Sequence, residues 1–91
     1  MIAEAEFTVA SELGLHARPA GEFAALAGTF AAEVSVARAG SDEWVSGRSV
    51  LSLLSLAASQ GTKLLLRAEG GADAEAALAA LGALLARPHA G

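Results

Sequence analysis

Hydrophobic and polar residues alternate in three separate stretches of the chain, and alternation with a period of two is typical of half-buried β-strands. In the first stretch, AEAEFTVA, the residues Ala5, Phe7 and Val9 alternate with glutamate and threonine. Residues 34–46 hold two short runs separated by the turn sequence GSD, which predicts a hairpin. The third stretch, TKLLLRAE, ends at a Gly-Gly turn. The pattern therefore predicts four strands.

Three other stretches carry hydrophobic residues at helical spacing. The first predicts a helix over residues 17–27 that ends at Gly28. In SVLSLLSLAA, a serine at every third position opposes hydrophobic residues, which predicts a short helix with one polar stripe. The last helix follows Asp73, a predicted cap, and we expect Gly82 to weaken it by about 1 kcal/mol relative to alanine. Its hydrophobic face consists of Ala74, Leu78, Leu81 and Leu85.

The predicted order of elements is β-α-β-β-α-β-α, with short connections and no long repeats. We predict one α+β domain over residues 1–91, an open-faced β-sandwich in which helices cover one face of a largely antiparallel sheet. Strands covered on both faces would consist of continuous hydrophobic runs, whereas these strands alternate. Trp44 is expected on a sheet face without a further role. We expect residues 87–91 to form a flexible tail in which His89 has no function.

Composition and charge exclude several classes of function. Hydrophobic residues make up 54% of the chain, but no run approaches the roughly 18 residues of a membrane span, so we expect no membrane insertion. The start, MIAEAEF, lacks the basic and apolar regions of a secretory signal, which favours the cytoplasm. A net charge of -4 with six scattered basic residues argues against nucleic-acid binding. With no cysteine and two distant histidines, we expect neither a metal site nor a cofactor.

One histidine, in the sequence GLHARPAGEF, lies where a loop becomes the first helix. Pro19 fits only in the first turn, so the helix must start within residues 16–18. The amino end of a helix presents unpaired N–H groups, here those of Ala17 and Arg18, and attracts anions. A neutral imidazole nitrogen of His16 can attack phosphorus, and the free N–H groups and the guanidinium of Arg18 are placed to meet the charge of the phosphoryl group. The residues alone leave an alternative open, in which His16 is an exposed, poor helix cap and Arg18 a solvated charge.

The sequence GLHARPA, together with SVLSLLSLAASQGTKLLLRAEG, resembles the HPr family of histidine phosphocarrier proteins of the bacterial phosphotransferase system. The similarity runs over residues 6–85. It implies a phosphoryl carrier rather than an enzyme, with His16 phosphorylated on Nδ1 and Arg18 assisting the transfer. It also implies a four-stranded antiparallel sheet of order 1-4-2-3 under three helices. The implied donor is enzyme I, phosphorylated from phosphoenolpyruvate, and the implied acceptors are IIA domains of sugar transport complexes. Transient docking to such partners favours a monomer.

The resemblance further implies a docking surface and a regulatory residue. The docking residues matched to the family are Ala17, Ala20, Val50, Leu51 and Leu54. An alternative is that the hydrophobic residues of the second helix simply fill the core, although so apolar a helix cannot bury every side. Ser49 matches the serine that an HPr kinase phosphorylates in some bacteria, and it is also a favoured helix cap in its own right.

Leu13 departs from the pattern of many sugar-branch members of the family, which have a small polar residue near the phosphate. An apolar residue at this position is also familiar in the nitrogen-related branch, so a nitrogen-branch regulatory phosphocarrier is an alternative. A third hypothesis, of a different class, is a non-catalytic module that uses the start of the first helix only to bind an anionic metabolite.

Overall fold

The computed structural model describes residues 2–88 and contains the seven elements in the predicted order. The strands and helices are β1 Ile2–Thr8, α1 Ala17–Ala27, β2 Glu33–Arg38, β3 Val45–Ser46, α2 Val50–Ser55, β4 Lys63–Glu69 and α3 Ala74–Ala86. The four strands form one antiparallel sheet of order β1-β4-β2-β3, which confirms the predicted order 1-4-2-3.

The register of the sheet explains why alternation was a reliable signal. Ala5 pairs with Leu66, Leu66 with Val36, and Val36 with Val45. Since side chains alternate between the faces of a strand, these four residues form one row across the core face. The opposite face carries the polar partners in the same strands, such as the pair Glu4 and Arg67.

The helices cover the core face of the sheet, and α1 packs against both α2 and α3. Each helix contributes at least one fully buried side chain, namely Phe23 in α1, Leu53 in α2 and Leu81 in α3. Burying a leucine or phenylalanine side chain stabilises the fold by about 1.5–3 kcal/mol. No helix within residues 2–88 is long and apolar enough to cross a membrane.

Asp73 lies at the predicted start of the last helix, but the contacts of Asp73 and Gly82 differ from those expected of a local cap and an ordinary helix glycine. Asp73 occupies the N-cap position of α3, but its side chain does not cap the helix. Its carboxylate instead accepts hydrogen bonds from the backbone N–H groups of Ala31 (2.8 Å) and Ala32 (2.9 Å), in the loop between α1 and β2. These bonds favour the ionised form and lower the pKa of Asp73 below its usual value of 3.8. Gly82 does more than lower the helix propensity of α3, because a side chain at this position would overlap the ring of Phe7.

The hairpin and the end of the chain differ in length from regular elements. The second arm of the hairpin, β3, is only two residues long. Helix α3 ends at Ala86, and Arg87 and Pro88 are exposed beyond it, whereas His89 and the rest of the predicted tail lie outside the described residues. Between residues 2 and 88, no three histidine, aspartate or glutamate side chains come together in a group that could hold a metal ion.

Candidate functional site

His16 occupies the N-cap position of α1, as the helix start predicted from Pro19 requires. Its backbone is extended, with φ of -87° and ψ of -173°, and its carbonyl accepts the first helical hydrogen bond from the N–H of Ala20 at 2.9 Å. The N–H groups of Ala17 and Arg18 precede that bond, so they have no partner within the helix. The amino end of α1 therefore presents two successive N–H groups beside the imidazole.

The imidazole ring of His16 does not serve as a cap, because its side chain makes no capping hydrogen bond. This finding removes the capping role from the alternative left open by the sequence. The ring is half-buried, and its Nε2 atom is enclosed without a hydrogen-bond partner within residues 2–88. Among the described side chains, Nε2 of His16 is the one enclosed nitrogen or oxygen atom without a partner, and Nδ1 does not share that property.

The guanidinium of Arg18 is exposed, and no hydrogen bond or ion pair holds it within residues 2–88. Three other arginines are engaged. Arg38 and Arg48 donate to backbone carbonyls, and Arg67 pairs with a glutamate. A guanidinium makes short, charge-assisted hydrogen bonds to phosphate oxygens. The guanidinium of Arg18 is therefore free to bind an anion at the amino end of α1.

The loop before His16 is fixed against the segment that follows α2. The N–H of Leu15 donates to the carbonyl of Ala58 at 2.9 Å, and Leu15 itself is buried. Gly14 adopts a φ of 73°, and a Cβ there would overlap the Ala58 carbonyl and lie 2.7 Å from the Cα of Ser59. No local pattern in the sequence indicates that Ala58 anchors this turn. The partner lies more than 40 residues away, so only the fold reveals it.

The residues of the predicted docking surface divide into exposed and buried members. Leu51 is 81% exposed, Val50 and Leu54 are each 36% exposed, and Ala17 is also exposed. Ala20 is completely buried in the core cluster, so its assignment to the docking surface was wrong. The reason is helical geometry, because the face of α1 that carries Ala20 also carries the buried Phe23 and Ala24.

Ser49 caps α2 with its side chain. Its backbone is extended and its Oγ accepts a hydrogen bond from the N–H of Ser52 at 3.2 Å. The predicted capping role is therefore confirmed, whereas phosphorylation of Ser49 stays a prediction. The exposed Val50 and Leu51 follow it directly.

Two residues singled out in the sequence lie outside this arrangement or at its edge. Leu13 is 63% exposed, three positions before His16. Trp44 lies against the guanidinium of Arg67, with 4.1 Å between the guanidinium carbon and the ring centroid. Since Arg67 also binds Glu4 at 3.1 Å, Trp44 belongs to a polar network on the face of the sheet that the helices leave uncovered.

Comparison with known proteins gives a consistent result. Residues 3–87 match the protein family described as the PTS HPr component phosphorylation site. The phosphocarrier protein HPr of Haloferax volcanii is 44% identical over 87 residues, covering 96% of this chain and 97% of the relative. The phosphocarrier protein NPr of Shewanella violacea is 40% identical over 82 residues, covering 90% and 87%. The crystal structure of a phosphocarrier protein HPr from Bacillus anthracis matches with a TM-score of 0.84 at 33% identity, covering 92% of this chain and 96% of the other.

The family match extends over nearly the whole of the described chain, and the fold and its strand order agree with it. The chain therefore belongs to the HPr family of phosphocarrier proteins of the phosphotransferase system, which are phosphorylated on histidine and are not enzymes.

Proposed function

We propose that this chain receives a phosphoryl group from phosphorylated enzyme I on Nδ1 of His16, in the cytoplasm, and passes it to IIA domains of sugar transport complexes. The observation that carries this proposal is the position of His16 at the amino end of α1, with Nε2 enclosed and no side-chain hydrogen bond to the helix. The unpaired guanidinium of Arg18 lies two residues further along the same turn.

The proposed transfer step is a nucleophilic substitution at phosphorus. The lone pair on Nδ1 of His16 attacks phosphorus, a new N–P bond forms, and the bond between phosphorus and the donor breaks with its electron pair remaining on the donor atom. The phosphoryl group brings roughly -1.5 to -2 charges. The N–H groups of Ala17 and Arg18 and the guanidinium of Arg18 are the groups available to meet that charge.

The stabilisation of the phosphorylated form must stay moderate, because a carrier has to release its cargo. An exposed helix end contributes about 0.3–1 kcal/mol, and a hydrogen bond to a charged group about 1.5–3 kcal/mol. Exchange with the next acceptor can offset contributions of this size. An exposed Arg18 without protein partners fits that requirement, because it can follow the phosphoryl group during transfer.

The docking surface that we propose for these partners consists of Ala17, Val50, Leu51 and Leu54. All four are exposed, and Leu51 more than the others. Exposed apolar side chains on adjoining helices suit partners that must bind quickly and dissociate. Ser49 is the residue before this surface, so a phosphoryl group placed there by an HPr kinase would oppose acidic partner surfaces.

The decisive experiment compares phosphoryl labelling of the wild-type chain with that of variants at its two histidines. Incubation with enzyme I and phosphoenolpyruvate carrying labelled phosphorus should place one acid-labile label on the wild-type chain and none on His16→Ala. The matched control is His89→Ala, which should accept the label as the wild type does. Label retained by His16→Ala would refute the assignment. Arg18→Gln should still accept the label but transfer it more slowly.

A nitrogen-branch regulatory role is a second candidate, because Leu13 is 63% exposed beside the site and a 40% identical relative is a phosphocarrier protein NPr. Paired assays with the enzymes I of the two branches separate these roles. Transfer only from the sugar-branch enzyme I would eliminate the nitrogen-branch role. A chain that binds phosphate ions but never takes a covalent label would instead be the non-catalytic anion-binding module.

A further inference from the structure

Arg38, the last residue of β2, bonds the segment that follows α2. Its Nη1 atom donates to the carbonyl of Leu56 at 3.0 Å and to the carbonyl of Ala57 at 3.2 Å. These two carbonyls belong to the peptide groups on either side of the Ala57 Cα. The orientations of those two peptide planes define the backbone conformation of Ala57. One guanidinium nitrogen therefore constrains both dihedral angles of that residue.

Ala57 needs such a constraint. Its φ of 52° lies in the left-handed region, and within residues 2–88 it is the one residue other than glycine with a positive φ. This conformation brings Cβ close to a carbonyl oxygen and is unfavourable for any residue that has a side chain. An unfavourable conformation persists only where the surrounding structure holds it. Among the described side chains, Arg38 is the one that bonds these two carbonyls.

The next residue, Ala58, connects this turn with the loop before His16. The carbonyl of Ala58 accepts the N–H of Leu15 at 2.9 Å and lies directly against Gly14. His16 follows Leu15 in the chain. A change in the conformation of Ala57 would turn the Ala58 carbonyl and release the backbone that places the imidazole ring.

We propose that Arg38 is a positioning residue for phosphoryl transfer at His16, because it holds Ala57 in the left-handed conformation that directs the Ala58 carbonyl to Leu15. Arg38 does not touch the reacting atoms and acts only through this turn. The inference rests on the proposed function in one respect, namely that His16 is the phosphorylated residue.

Three variants test the proposal. Arg38→Met removes both hydrogen bonds and keeps an aliphatic stem. Arg67→Met is the matched control, because it removes an arginine that bonds Glu4 and Trp44 on the opposite face of the sheet. In the double variant Arg38→Met with Ala57→Gly, glycine adopts a positive φ without strain, so the turn no longer requires Arg38. Arg38→Gln, which keeps a neutral donor, should show a smaller change in the same direction and serves if Arg38→Met does not fold.

The first measurement is hydrogen exchange at the amide of Leu15, which reports the Leu15–Ala58 bond directly. Arg38→Met should raise the exchange rate at Leu15 about tenfold or more relative to Arg67→Met, because hydrogen bonds from a charged group are lost. The double variant should return the rate to near the wild-type value. Equal exchange at Leu15 in Arg38→Met and Arg67→Met, or no recovery in the double variant, would overturn the proposal.

The second measurement is the rate of phosphorylation by enzyme I. Arg38→Met should lower kcat about tenfold to a hundredfold through misplacement of the ring, while KM changes little because the docking residues are untouched. Unchanged kcat alongside faster exchange at Leu15 would also overturn it. Exchange at Leu15 needs no phosphoryl donor, so failure of the turn to depend on Arg38 is distinguishable from failure of His16 to be the acceptor.

Discussion

Gly14 and Gly21 lie on either side of His16, and replacing each by alanine should change stability in opposite directions. Gly14 has a φ of 73°, and an added Cβ would overlap the backbone carbonyl of Ala58. Gly21 lies inside α1, and nothing lies within 4 Å of a Cβ added there. Comparison of Gly14→Ala with Gly21→Ala therefore separates two effects. One is the strain and overlap of a side chain at Gly14, and the other is the ordinary preference of a helix for alanine.

The expected loss at Gly14 follows from two contributions. A left-handed backbone costs a residue with a Cβ about 1–2 kcal/mol. The overlap is with backbone rather than with a flexible side chain, so the loop must move, and the Leu15–Ala58 hydrogen bond, worth about 0.5–1.5 kcal/mol, is lost. Gly14→Ala should lower the free energy of unfolding by roughly 1.5–3.5 kcal/mol, the sum of these two contributions. At about 4–8 °C per kcal/mol for a domain of this size, the midpoint of thermal unfolding should fall by roughly 6–28 °C.

Gly21→Ala should instead raise the free energy of unfolding by about 0.5–1 kcal/mol, because alanine loses less backbone entropy in a helix. Thermal and urea unfolding followed by circular dichroism measure both changes. Below its melting temperature, Gly14→Ala should also accept the phosphoryl label more slowly, while Gly21→Ala should not. A Gly14→Ala variant as stable as the wild type would show that the loop is not fixed by its contact with Ala58.

Three further predictions concern single side chains outside that loop. Ser49→Ala should lower the free energy of unfolding by about 0.5–2 kcal/mol in urea titrations, whereas Ser49→Asp, which keeps a capping oxygen, should lose less. Because the pKa of Asp73 is lowered in the folded state, its ionised form stabilises the fold fully above a pH of about 3.8. This contribution is lost as the pH falls through the lower pKa of the folded state. The urea midpoints of the wild type and Asp73→Asn should therefore converge as the pH is lowered. A difference between the midpoints that does not change with pH would contradict a stabilising role for the Asp73 carboxylate. Gly82→Ala should destabilise by about 1–3 kcal/mol through overlap with Phe7, and Phe7→Leu should restore part of the loss; a net gain from Gly82→Ala alone would show that the ring moves aside freely.

The parts of this fold that the sequence predicts are those governed by local patterns. Alternation fixed which residues of β1 and β4 face the core, because one face of the sheet is covered and the other is not. Pro19 located the start of α1, since proline is tolerated only in the first turn. The strand order followed from family resemblance, because periodicity carries no information on which strands pair.

The features that the sequence did not predict depend on partners far away in the chain. Asp73 bonds Ala31 and Ala32, 42 and 41 residues away, so its role differs from that of a local cap. Position 82 must be glycine because the ring of Phe7, in the first strand of the chain, occupies the space that a Cβ would need. A propensity scale assigns a fixed free-energy cost to a glycine inside a helix, but it contains no information on whether the space for a side chain is already filled.

The distribution of guanidinium groups connects the stability of the fold with its function. Arg38 and Arg48 each bond two backbone carbonyls, at the end of α2 and in the loop after α1, where the chain leaves regular structure. Backbone groups at such points need partners, and an arginine supplies several donors at once. Arg18 has no such task within residues 2–88, although it lies in the first turn of α1, where the N–H groups have no partner within the helix. A chain with a net charge of -4 can therefore still attract an anion at one place, because the guanidinium groups of Arg38, Arg48 and Arg67 are engaged within the fold and that of Arg18 is not.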